Sequence, residues 1–363
     1  MSPDLVPVVR VAGRGLVAVG ALAVGAALGA VAERTLLRAA TEPPTADTGD
    51  AFGSLRGDVH VVPADDGAVL HAEVDDSPGA EDLTIIFCHG YALNLDSWHY
   101  QRQSLRGRAR LIFYDQRSHG RSARAEFDSH HVDQLGRDLG SIIDLVAPKG
   151  PLLLVGHSMG GMSIMALAEQ RPELIRDRVF GVALISTTAG GVSSGLLGLP
   201  PFLGSLFQRL APPVAAAVAR QKSLVERSRW SDSDLGLFLT RTYSFGSTAP
   251  DQAGRFVAGM VAATPVDVIA EFLPAIHEHD KRGTLESFQS VELLVIVGAS
   301  DRLTPREQSD AIVQQVPGAE YIVIPDSGHM VTIEKHEEVD AALLSLVERV
   351  RRNIAGDSVG GGA

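Results

Sequence analysis

The chain has 363 residues, 45% of them hydrophobic, and a formal net charge of -12. That length fits one large domain or a core domain carrying an insertion. The acidic balance, with no basic arm, excludes a nucleic-acid backbone as partner, and a lone cysteine, Cys88, excludes an intrachain disulfide.

The first predicted element is an apolar segment. Gly15 to Ala32 carries no charge and is rich in Ala, Val, Leu and Gly. Roughly 18 such residues just reach the length of a bilayer core. Three readings are open. The leading one is a single membrane anchor within residues 1–38. The second is a signal peptide cut after Ala30-Val31-Ala32, which would place the chain in the cell envelope or outside it. The third is an Ala-rich helix packed on the protein. Basic residues flank the segment on both sides, so the charge bias assigns no orientation.

Residues 39–52 are polar, contain two prolines and read as a linker. The core is expected over 53–191 and 291–354. Val59 to Val62 and Val69 to Val74 flank Asp65-Asp66-Gly67, which predicts a hairpin. Leu83 to Cys88 is a nearly continuous apolar run, as expected of a strand buried on both faces. The same pattern recurs at 111–114, 152–155, 182–185, 293–297 and 321–324. Helical periodicity falls between these runs, at 135–146, 159–170, 305–314 and 331–350. This alternation predicts a mostly parallel sheet of about eight strands with helices on both faces.

Residues 192–290 interrupt the alternation. They contain clustered prolines and helical stretches such as 214–227 and 266–277, and they predict an inserted helical cap over the C-terminal edge of the sheet. Ligands bind along that edge in open α/β sheets. Residues 355–363 are expected to be a disordered tail.

The chemistry centres on Gly156-His157-Ser158-Met159-Gly160, a G-x-S-x-G motif. Five residues alone carry little weight. An apolar strand precedes them and a helix follows, the setting in which a tight elbow exposes a serine hydroxyl. A side chain at either glycine would crowd that turn. Ser158 also sits at a helix N-terminus, where developing negative charge is favoured. Its plain alternative is an ordinary helix cap.

A serine hydroxyl needs a base to take its proton. His329 follows the last apolar strand, in Pro325-Asp326-Ser327-Gly328-His329. Asp301, after the strand at 293–297, is the expected orienting carboxylate, with Asp326 as fallback. The oxyanion is expected to meet the backbone N–H groups of Met159 and Tyr91, the latter in the loop His89-Gly90-Tyr91-Ala92-Leu93. His89 is expected to hold that loop and His157 to be structural. His277, His279 and Asp280 resemble a metal cluster only loosely, lacking a fourth ligand at usable spacing. No metal and no cofactor is expected. Cys88 reads as a buried structural thiol.

These blocks together resemble the α/β-hydrolase superfamily, in the branch of capped esterases, lipases and cofactor-free haloperoxidase-like enzymes. Four blocks match in order: Cys88-His89-Gly90-Tyr91, Asp115 to Ser122, Gly156 to Gly161, and Gly298 to Arg302 with Ser327-Gly328-His329. The likeness spans about residues 55–350 and implies the triad Ser158, Asp301 and His329. It also implies that the D-x-R-x-H-G-x-S block, with Asp115, is structural. A serine at 158 disfavours the aspartate-nucleophile relatives, and Tyr91 after Gly90 departs from the H-G-G-G branch.

The resulting expectation is hydrolysis of a carboxylic ester or lipid ester through an acyl-Ser158 intermediate. Acyl transfer or perhydrolysis with the same triad is the alternative. A non-catalytic ligand receptor on this fold is the reading from another class. Phe202, Leu206, Phe207, Phe238, Phe256, Met260 and Phe272 are candidates for cap core or for an acyl pocket.

Overall fold

A computed structural model describes residues 50–80, 82–191, 240–246 and 251–360. The apolar segment at 15–32 and the predicted cap helix at 214–227 lie outside the described residues. Among the described residues no single helix is long and apolar enough to cross a membrane.

Eight strands form one sheet: β1 (Asp58–Pro63), β2 (Val69–Asp75), β3 (Thr84–Cys88), β4 (Arg110–Tyr114), β5 (Leu152–His157), β6 (Val179–Ile185), β7 (Glu292–Gly298) and β8 (Glu320–Ile324). Their spatial order is β1-β2-β4-β3-β5-β6-β7-β8. The β1–β2 and β2–β4 pairings are antiparallel, and every other pairing is parallel. β3 and β5 are buried along their whole length. That explains their unbroken apolar runs, because a parallel strand in mid-sheet has no face for water. β1 lies at an edge and leaves Val59 and Val61 exposed.

Side-chain alternation divides the core in two. Ile86, Cys88, Leu152 and Leu154 face one layer, with α2 (Val132–Val146), α3 (Met159–Gln170), α4 (Pro172–Arg178) and α7 (Arg306–Gln315). Ile85, Phe87, Leu153 and Val155 face the other, with Leu105 of α1 (His99–Leu105) and with α9 (His336–Gly360). Each large apolar side chain buried this way contributes about 1.5–3 kcal/mol. α5 (Asp251–Ala263) and α6 (Val266–Glu278) meet at a 93° bend. α6 packs Val268, Phe272 and Ile276 against Val132, Leu135, Met159 and Met162.

The structure differs from expectation in three places. The predicted helix over 331–350 is broken at Lys335 into α8 (Val331–Glu334) and α9. The tail expected from residue 355 continues α9 as helix to Gly360, because a long packed helix already supplies the nucleus that makes further turns inexpensive. Phe52, assigned to the linker, already belongs to the fold: it stacks on Phe256 of α5 at 4.5 Å and meets Tyr100 edge-on at 5.6 Å.

Among the described residues, five that are not glycine take positive φ: Ala92, Ser118, Ser158, Ser186 and Asp326. They follow the C-terminal ends of β3, β4, β5, β6 and β8 respectively.

Candidate active site

β5 runs straight into Ser158, whose φ of 52° and ψ of -118° turn the chain sharply into α3. Close packing dictates the neighbouring glycine: a Cβ on Gly160 would lie 2.0 Å from the Cys88 carbonyl oxygen. The Ser158 N–H donates to the Ile185 carbonyl at 2.9 Å, and the Thr187 hydroxyl donates to the Ser158 carbonyl at 2.7 Å. The elbow is therefore tied to β6, and its side chain is left on the wall of a cavity of about 350 Å³.

His329 lines the same cavity. Its Nδ1 meets Asp301 Oδ2 at 2.9 Å and Oδ1 at 3.1 Å. Asp301 also accepts from the Leu303 and Thr304 N–H groups and from the Thr304 hydroxyl, each at 2.9 Å. Burial alone would raise the Asp301 carboxyl. The His329 charge and hydrogen bond, with the Thr304 donors, outweigh burial and hold it below its ordinary value. Nδ1 is thus the protonated nitrogen that the carboxylate holds, and Nε2 is left toward the cavity. Among the described residues no hydrogen bond joins Nε2 to a protein group, and none joins the Ser158 hydroxyl to His329.

The two loops carrying Asp301 and His329 touch directly. Ser300 N–H donates to the Ser327 carbonyl at 2.8 Å, and a Cβ on Gly298 would lie 2.2 Å from the Gly328 carbonyl oxygen. Glu334 accepts from the Gly328 N–H at 2.7 Å and from the Gly246 N–H at 3.0 Å. His157 Nε2 donates to the His329 carbonyl at 3.0 Å, and burial pushes its ring down to about 3, so it stays neutral. Asp326, the fallback acid, is exposed, and among the described residues no hydrogen bond or ion pair joins it to the His329 ring.

The loop after β3 is held by two neutral histidines. His89 Nδ1 donates to the Gly90 carbonyl at 2.7 Å, while Nε2 accepts from Gln116 N–H at 2.9 Å. His119 Nε2 accepts from Ala92 N–H at 3.1 Å, and its Nδ1 donates to the Arg117 carbonyl at 2.8 Å. Burial pushes their pKa values down to about 3 and about 4. The expected supporting role of His89 matches this geometry. The Tyr91 hydroxyl donates to the Ile269 carbonyl of α6, which ties the loop to the cavity wall. Neither the Tyr91 nor the Met159 N–H has a protein partner among the described residues, and both residues line the cavity.

The D-x-R-x-H-G-x-S block packs beneath this loop. Asp115 accepts from Leu95 N–H at 2.7 Å and Arg121 N–H at 2.8 Å, and burial raises its carboxyl to about 6. Arg117 pairs with Asp138 and Asp66. Cys88 is buried, and burial pushes its thiol up to about 12, far from a reactive thiolate. His279 Nε2 donates to the Thr188 carbonyl at 3.1 Å, and Asp280 pairs with Arg282. Among the described residues no group of three or more His, Cys, Asp or Glu side chains could hold a metal ion.

The part of the cavity wall that α5 and α6 supply is apolar: Val257, Val261, Ile269, Leu273 and Ile276. The candidate acyl-pocket residues Phe256, Met260 and Phe272 do not line it. Phe272 packs instead between His119 and His130, at 5.5 and 4.7 Å. Phe202, Leu206, Phe207 and Phe238 lie outside the described residues. Thr304 and Glu334 were invisible to motif reasoning. Their only signal is proximity in sequence to Asp301 and His329.

A profile of the alpha/beta hydrolase fold matches residues 84–336. A protein of Caulobacter sp. (strain K31) named as a carbamate hydrolase is 27% identical over 283 residues, covering 77% of this chain and 95% of its own. A pimeloyl-acyl-carrier-protein methyl ester esterase of Pectobacterium carotovorum is 26% identical over 255 residues, covering 69% of this chain and 89% of its own. Among solved structures, an esterase from Thermogutta terrifontis superposes with a TM-score of 0.64 at 21% identity, covering 81% of this chain and 99% of its own. That last likeness speaks for the fold alone.

Proposed function

The chain belongs to the α/β-hydrolase-fold family, and from that premise we propose that it is a serine hydrolase acting on carboxylic esters. One observation carries the reading. The His329–Asp301 pair, at 2.9 Å, and Ser158, at its positive-φ elbow, open on one cavity.

In this mechanism His329 Nε2 takes the Ser158 proton as the hydroxyl oxygen attacks the ester carbonyl carbon. The carbonyl π electrons move onto its oxygen, which is received by the Tyr91 and Met159 N–H groups. Asp301 holds the ring in the Nδ1–H tautomer and stabilises the imidazolium. As the oxyanion collapses, the C–O bond to the alcohol breaks and His329 returns the proton to the leaving oxygen. Water then repeats the sequence on the acyl-Ser158 ester, releasing the acid and restoring the serine. The apolar wall of α5 and α6 supports an apolar substituent on the substrate. The esterase and carbamate hydrolase names of the relatives support hydrolysis of a carbonyl bond to oxygen or nitrogen.

The test is active-site labelling. A fluorophosphonate probe should attach to Ser158, identified by peptide mass, and p-nitrophenyl butyrate should be hydrolysed. Ser158→Ala should remove both. Labelling at another residue, or full turnover by the alanine variant, sinks the assignment. Product analysis with added alcohol or peroxide separates hydrolysis from acyl transfer and perhydrolysis.

A further inference from the structure

We propose that Gln308 is a specificity-determining residue that donates a hydrogen bond to a second carbonyl oxygen on the substrate, remote from the ester being cleaved. This deepens the serine-hydrolase reading and rests on it. The substrate class it names is an apolar ester carrying an additional keto or ester carbonyl.

Thr188 directly follows Thr187, whose hydroxyl pins the elbow. Its side chain is buried and lines the cavity. Thr188 Oγ1 accepts the Gly190 N–H at 3.0 Å. Its own proton has two acceptors within reach, Gln308 Oε1 at 2.7 Å and the Gly190 carbonyl at 3.2 Å. The nearer acceptor is the better one. Gln308 Oε1 is therefore engaged, which fixes the orientation of the amide.

Gln308 belongs to the first turn of α7 and also lines the cavity. With the oxygen held by Thr188, the amide NH₂ is the end left over. Among the described residues it has no protein partner. The donor is preorganised, because the threonine has already restricted the side chain before substrate arrives. Thr188 is itself held from behind by His279, which donates to its carbonyl at 3.1 Å.

The surroundings give this donor its selectivity. It shares the cavity with valine, leucine and isoleucine side chains from α5 and α6. An ester with only hydrocarbon there strips water from the amide and returns nothing. An ester with a carbonyl oxygen in reach restores the bond. A site built to pair with a polar group discriminates against an analogue lacking it, because its own group is left unpaired. A single neutral hydrogen bond of this kind corresponds to about a tenfold preference.

The experiment compares matched esters. One series is p-nitrophenyl hexanoate with its 4-oxo and 5-oxo derivatives, which varies the acyl side. The other is butyl acetate with 3-oxobutyl acetate, which varies the alcohol side. The wild-type protein should prefer at least one oxo ester to its parent by about tenfold in kcat/KM. In Gln308→Leu that ratio should fall to near one. In Gln308→Glu, whose carboxylate repels a carbonyl oxygen, it should fall below one. Absence of any oxo preference in the wild type overturns the proposal without reference to a variant. So does a preference that survives in either variant. Fluorophosphonate labelling runs alongside. A wild type that labels at Ser158 but shows no oxo preference refutes the role of Gln308 alone. A wild type that does not label refutes the serine mechanism on which it rests.

Discussion

Arg117 and His329 each hold a buried carboxylate, but the two pairs are finished differently. Arg117 spends its guanidinium on two carboxylates: Nε and Nη2 meet Asp138 at 2.7 and 2.6 Å, and Nη1 meets Asp66 at 2.7 Å. Arg102 does the same with Asp75, at 2.8 and 2.7 Å, and Glu73, at 2.8 Å. His329 gives Asp301 only Nδ1 and keeps Nε2 on the cavity. A saturated pair can fix backbone and nothing more. A pair with one nitrogen unspent can move a proton. Burial is common to both regions, so burial alone does not tell them apart.

Three substitutions would break or sharpen this contrast. Asp301→Asn keeps the size and most of the hydrogen bonds of the carboxylate but favours the wrong histidine tautomer. It should lower kcat for a p-nitrophenyl ester by about 10³–10⁴-fold while changing the unfolding midpoint little. A variant that is unstable rather than slow would erase the distinction. Arg117→Ala should behave in the opposite way. It strands the buried Asp138 charge, and chemical denaturation should reveal a loss of about 3–5 kcal/mol. A loss of activity per folded molecule, with stability intact, would place Arg117 among the functional groups instead.

The smallest effect is expected at Glu73, and it depends on pH. Burial would raise this carboxyl, but the hydrogen bonds from His71 and Arg102 outweigh it and bring it from an ordinary 4.5 down to about 2. The fold thus favours the ionised form. Its contribution is fully present above about pH 4.5 and disappears as the pH falls toward 2. Glu73→Gln should be less stable than wild type by about 1–2 kcal/mol at pH 7, screened by water and by neighbouring exposed arginines. The gap between the two should close on acidification, read from urea midpoints between pH 6 and pH 2.5. A gap that is constant over that range would mean that the charge is not the source.

Much of the fold was legible because its central strands are buried on both faces. Runs such as Thr84–Cys88 and Leu152–Val155 could hardly be anything else. The strand-end positions of Ser158 and Asp301 were legible because each follows such a strand, and that of His329 because it follows the apolar run of the edge strand β8. What stayed hidden depends on contacts between distant residues. Thr188 and Gln308 are 120 positions apart, and neither sits in a motif. Tyr91 could be read as a backbone donor, but not as a hydroxyl tied to Ile269, 178 positions away. The break at Lys335 escaped because the helical period continues across it. Phe52 looked like linker because its partner, Phe256, belongs to a helix brought beside it only by folding.

The backbone strain described above is also unevenly placed. Ala92, Ser118, Ser158, Ser186 and Asp326 all hold left-handed φ at the C-terminal ends of strands, at a cost of about 1–3 kcal/mol each. The turns that lead into β3, β4 and β5 at the far edge instead use Gly79, Gly107 and Gly150, where the same conformation costs little. Local opening releases such strain, so the site edge has less to lose by loosening than the edge behind it. Amide hydrogen exchange should show this as a gradient across one sheet, slow at the back and faster at the front. The loosest edge of the sheet would then be the one on which the cavity beside Ser158 opens.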